Sequence, residues 1–70
     1  MDLHNQVKAI RLQRSLTQEA LANVLGVTRQ TIISIEKEKF VPSVKLALEL
    51  AKALEVPMEK LFWLDERRGE

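Results

Sequence analysis

Thr17-Gln18-Glu19-Ala20-Leu21-Ala22-Asn23-Val24-Leu25-Gly26-Val27-Thr28-Arg29-Gln30-Thr31-Ile32-Ile33-Ser34-Ile35-Glu36 is the stretch that decides the fold. It reads as two short helices bent around Gly26. Thr17 is a good N-cap, because its hydroxyl oxygen can accept from an orphan amide of the first turn. Leu21, Ala22 and Leu25 then form an inward stripe at helical spacing. Gly26 stands where a left-handed residue ends a helix without a Cβ penalty. Val27 plugs the corner and Thr28 caps the second helix. There Ile32 and Ile35 point one way, while Arg29, Gln30, Ile33 and Ser34 point another. Arg and Gln near the start of a helix standing clear of its own core are what base-edge recognition requires.

Outward from this stretch, Leu3, Val7 and Ile10 repeat at helical spacing with Lys8, Arg11 and Arg14 interleaved, which predicts a first amphipathic helix ending near Ser15. Lys37 to Pro42 is a charged loop, closed by a proline that biases Val41 away from helical geometry. Ser43 caps a fourth helix with Ala47, Leu50, Ala51 and Leu54 inward and Leu46 and Leu48 widening that face. Pro57 opens a short fifth helix running through Leu61. The expectation is an all-α, compact five-helix domain spanning residues 1–70, with a short extended segment at its C-terminal end.

Seventy residues make one small domain, burying roughly 60% of the unfolded chain's surface. An apolar fraction of 46% is ordinary for a globular chain. The absence of cysteine excludes a disulfide framework or a thiolate metal site and suits a reducing cytoplasm. No long apolar run and no charged-then-apolar leader is visible, so neither a membrane partner nor a signal peptide is expected. The net charge is only +1, but it is unevenly spread. Residues 1–45 carry seven Lys and Arg against four Asp and Glu, and residues 46–70 carry four against six. A basic half around the helical pair fits a face turned to phosphates.

In register over all five predicted helices, the chain resembles the lambda-repressor-like, Cro-type (XRE) helix-turn-helix regulators. The matching segments are Ile10-Arg11-Leu12, Leu16 to Ala22, Leu25 to Ile32, Ile35-Glu36, Pro42-Ser43, Leu46-Ala47-Leu48, Leu50 to Leu54 and Leu61-Phe62. The resemblance implies a transcriptional regulator, a repressor, that lays its third helix in the major groove of double-stranded DNA. Arg29, Gln30, Ile33 and Ser34 would then meet bases: Arg29 on guanine O6 and N7, Gln30 on adenine N6 and N7, Ile33 on a thymine methyl. Gln18, Thr28, Thr31, Lys37 and Lys39 would meet phosphates. Arg11 and Glu36 would form a buried structural ion pair joining the first helix to the end of the third, the alternative for Arg11 being a phosphate contact. Similar sequences often place glycine where Glu38 stands, so a left-handed backbone there would cost about 1 kcal/mol.

Leu61-Phe62-Trp63-Leu64 is too apolar for a 70-residue chain to bury entirely. It predicts a homodimer joined through residues 57–66 with Phe62, Trp63 and Leu64 at the interface, the alternative being Trp63 folded over its own fifth helix. An enzyme is not expected. His4 is the sole histidine, and no acid–base constellation, phosphate loop or metal-ligand cluster stands out. No cofactor or small-molecule ligand is implied. Two rivals keep the same fold: a protein-interaction adaptor that has lost DNA binding, and the antitoxin of a toxin–antitoxin pair. An adaptor would be expected to lose Arg29 and Gln30 or to carry acids beside them.

Overall fold

Asn5 decides where the first helix begins. Its Oδ1 accepts from the Val7 N–H at 3.0 Å and its Nδ2 donates to the Ile35 carbonyl at 2.9 Å. The residues before it are therefore a strand, not a helical turn. In the computed structural model, which describes residues 1–65, the order is β1 (Leu3–Asn5), α1 (Val7–Gln13), α2 (Gln18–Leu25), α3 (Arg29–Glu36), α4 (Val44–Leu54), α5 (Met58–Leu61) and β2 (Phe62–Leu64). Glu66, the last residue of the expected interface segment, and the tail beyond it lie outside the described residues.

The strands pair antiparallel, with Leu3 opposite Leu64, His4 opposite Trp63 and Asn5 opposite Phe62. This corrects the all-α expectation: the fold is five helices plus a two-stranded sheet. Leu3 matched the helical period only by accident, and it packs on the core from a strand. Gln6 anchors the junction, its N–H donating to the Leu61 carbonyl at 3.1 Å and its Nε2 to the Lys60 carbonyl. Pro57 caps α5 rather than opening it, a difference of one residue.

The core is built from the inward stripes of all five helices. Val7, Leu21, Ile32, Ile35, Leu50, Leu54 and Leu61 are fully buried. Val27 packs against them at the corner between α2 and α3. Thr17, Thr28 and Ser43 each cap the following helix, accepting from the N–H of the third residue on.

Four of the helices end in the same way. After α1, α2, α3 and α4 a single residue turns left-handed: Ser15 (φ 59°), Gly26 (φ 70°), Glu38 (φ 62°) and Glu55 (φ 61°). In each case the next N–H reaches back to a carbonyl of the last turn, as Leu16 does to Arg11, Val27 to Ala22, Lys39 to Ser34 and Val56 to Ala51. This is the paired 6→1 and 5→2 closure that satisfies the orphan carbonyls of a helix end. Only one of the four uses glycine. At each of the others the Cβ sits in an unfavourable region, at about 1 kcal/mol apiece.

Candidate nucleic-acid interface

Three polar residues tie α3 to its supports. Arg11, from α1, donates from Nε to Glu36 Oε2 at 2.7 Å and from Nη2 to Glu36 Oε1 at 3.3 Å. Its Nη1 donates to the Leu16 carbonyl at 2.9 Å. The two side chains are only 7% and 5% exposed, so the guanidinium and carboxylate face one another almost out of water. Such a pair adds little net stability but leaves a costly lone charge if one partner is lost.

Gln18 extends this chain outward. Its Nε2 donates to Glu36 Oε1 at 3.1 Å, and its Oε1 accepts from Arg29 Nε at 3.4 Å. A connected series therefore runs Arg11–Glu36–Gln18–Arg29 from the interior to the first turn of α3. Gln18 is half-buried and retains one unused N–H, so it is both a strut for Arg29 and a free donor beside it.

The outward side of α3 carries Arg29 and Gln30, both exposed, with Ile33 and Ser34 half-buried behind them. Gln30 Nε2 donates to Ser34 Oγ at 3.3 Å, one turn along the helix. Ser34 thus orients Gln30. Thr28 and Thr31 share a hydroxyl–hydroxyl contact at 3.0 Å at the start of the helix. Lys37 and Lys39 are exposed beyond its end, and among the described residues neither forms an ion pair. The acid of α3, Glu36, is neutralised by Arg11, so nothing on the exposed face opposes an anion.

Glu38, left-handed as the sequence comparison implies, puts a carboxylate in the loop after α3. The structure turns it onto His4 of β1, with His4 Nδ1 at 3.2 Å from Oε1 and 3.3 Å from Oε2. The other ring nitrogen, Nε2, lies 3.4 Å from Asp65 Oδ2. A neutral imidazole donates from only one nitrogen, so two facing carboxylates favour the imidazolium. Glu38 first, and Asp65 second, hold the His4 pKa above its ordinary 6.5. A group with a raised folded pKa contributes stability that is complete below the unfolded value and fades as pH rises through the folded value. The urea midpoint of the wild type should accordingly lose its advantage over His4→Gln as pH climbs from below 6.5. Parallel midpoints across that range would show that the contact adds nothing.

Trp63 lies on the outer side of β2, its ring 6.3 Å from that of His4, and is 43% exposed. Leu64 is 53% exposed. Phe62, expected at an interface, is instead 9% exposed and closes the chain's own core. The reason is alternation along the strand, which sends Phe62 inward and Trp63 outward. Sequence reasoning missed the roles of Asn5 and His4.

A helix seated on the core through Ile32 and Ile35, joined to a second helix across a left-handed corner and carrying Arg and Gln on its free side, defines a helix-turn-helix protein. The chain belongs to the HTH_3 helix-turn-helix family of the XRE type, whose model matches residues 7–61. It is 47% identical to the HTH-type transcriptional regulator YgzD of Bacillus subtilis over 64 residues, covering 91% of this chain and 97% of that protein. It is 52% identical to the HTH-type transcriptional regulator MJ0272 of Methanocaldococcus jannaschii over 60 residues, covering 86% and 91%. The restriction-modification controller protein C.AhdI of Aeromonas hydrophila superposes with a TM-score of 0.72 at 28% identity, over 77% of this chain and 82% of that one. The family is one of DNA-binding transcriptional regulators, not of enzymes. Among the described residues no helix is long and apolar enough to cross a membrane.

Proposed function

We propose that this chain is a sequence-specific repressor that binds an inverted-repeat operator in the cytoplasm as a homodimer. Residues 17–36 serve as its reading unit. The observation that carries this reading is the free side of α3, where Arg29 and Gln30 are exposed and no acid is left unpaired. Arg29 reads guanine and Gln30 adenine, Ile33 meets a thymine methyl or the groove wall, and Ser34 touches a base edge or steadies Gln30. Gln18, Thr28, Thr31, Lys37 and Lys39 fix the register on phosphates. A domain seated this way excludes another protein from the same groove, which is sufficient for repression.

Two copies place their recognition helices about 34 Å apart, one turn of B-DNA. Neutralising about 8 phosphates gives a log–log salt slope near −7. Selection of bound sequences from a random duplex pool at stated salt tests the reading. Recovery of a palindromic site supports it, and an unenriched pool overturns it. The homodimer rests on Trp63 and Leu64, two large apolar side chains left exposed at successive, opposite-facing positions of β2. Trp63→Ala should sediment as a monomer at concentrations where the wild type is a dimer. An unchanged dimer removes Trp63 from the interface.

A further inference from the structure

Alongside α3 run two grooves of unlike chemistry. One lies against the start of α2 and is bordered by Gln18 and Arg29. The other, of about 330 Å³, lies on the opposite flank between α3 and the loop that follows it. Its lining is Thr28, Gln30, Thr31, Ser34, Lys39 and Phe40. These six side chains comprise three hydroxyls, one amide, one ammonium and one phenyl ring, with no carboxylate among them. The nearest acid in sequence, Glu38, is occupied by His4 on the sheet.

The phenyl ring of Phe40 is 47% exposed in the loop after α3, following Lys37, Glu38 and Lys39 and preceding the exposed Val41, and it is the apolar side chain of that loop that lines the groove. A ring left half in water beside a cation and hydroxyls matches a ligand that is apolar on one side and anionic on the other. A deoxyribose joined to its phosphate has that pattern: C–H groups on the sugar, two charged oxygens next to it. The position agrees. A helix about 10–12 Å across fills a major groove about 12 Å wide, so the two backbones bordering that groove must run along its two flanks.

We propose that the groove between α3 and Phe40 is the seat of one sugar–phosphate unit of the bordering strand, with the Phe40 ring against the deoxyribose and Lys39 and Thr31 donating to its phosphate. This rests on the DNA-binding reading above and adds to it an apolar, salt-independent share of the affinity. An ammonium–phosphate contact releases counterions and steepens the salt dependence. A ring packed on a sugar does neither.

The test compares wild type, Phe40→Ala, Phe40→Leu and Lys39→Ala on two probes, a duplex bearing the selected site and a shuffled duplex of equal length, across a salt series. Phe40→Ala should weaken both duplexes by the same factor, about fivefold or more, with the salt slope unchanged, because only apolar burial is lost. Lys39→Ala should weaken both and reduce the slope by about 1. Phe40→Leu, which keeps apolar bulk and settles the matter if the alanine variant melts early, should lose less than Phe40→Ala with the same slope as wild type. Phe40 variants that bind both duplexes as wild type does overturn the assignment while leaving DNA binding intact. A loss confined to the selected site also overturns it, since Phe40 would then be reading a base. Wild type that binds neither duplex sinks the DNA-binding reading itself, a result distinct from both.

Discussion

Glu36→Ala is expected to destabilise the fold by about 3–5 kcal/mol, because it leaves the Arg11 guanidinium nearly buried without a counter-charge. A single core in a chain of this size rarely supplies more than about 3–5 kcal/mol in total, so the variant should be largely unfolded at ambient temperature. Urea titration followed by circular dichroism measures this directly. The loss comes from the stranded charge, not from the attraction removed. Replacing both partners with apolar residues of similar volume, Arg11→Met with Glu36→Leu, should therefore restore most of the stability. A Glu36→Ala midpoint equal to wild type would show that the pair is solvated in solution. The double replacement also separates folding from reading. It removes the carboxylate that holds Gln18, so Arg29 should lose its tether while the core survives.

The second large effect concerns affinity. Gln30→Ala and Arg29→Ala should each weaken binding to the selected site by about 1–3 kcal/mol and relax preference at one base pair. Lys37→Ala should instead weaken all duplexes alike. The distinction follows from what each group meets: bases differ along the duplex and phosphates do not. Competition between the selected site and single-position variants measures it. Unaltered preference in both recognition-helix variants would remove α3 from base reading. Ser34 sits behind Gln30 and accepts from its amide at 3.3 Å.

Where a residue's chemistry announces a local rule, the fold was legible without coordinates. Thr17, Thr28 and Ser43 are side-chain caps, and each one accepts from the expected turn. Gly26 marks the corner between α2 and α3, and the stripes Leu21-Ala22 and Ile32-Ile35 are buried as their spacing implies. What stayed hidden depends on pairings between distant parts of the chain. Strand β1 is three residues long and is defined by β2, some sixty positions away, so no periodicity within it could distinguish strand from helix. His4 looked like an unremarkable residue near the start of the chain. Its two carboxylate neighbours come from the loop after α3 and from Asp65, which only the closed sheet brings together. The outward side of α3 was readable as a pattern. Its internal links, Gln18 to Arg29 and Gln30 to Ser34, were not, because they require the mutual placement of helices and rotamers.

The left-handed corners at Ser15, Glu38 and Glu55 set limits on how the sequence can drift. Glycine or asparagine fits at any of them, and small or straight-chained residues survive, but a valine or isoleucine would force its branched carbon into a region such side chains almost never occupy. Substitutional freedom is therefore restricted at three exposed positions whose side chains take no part in the interior.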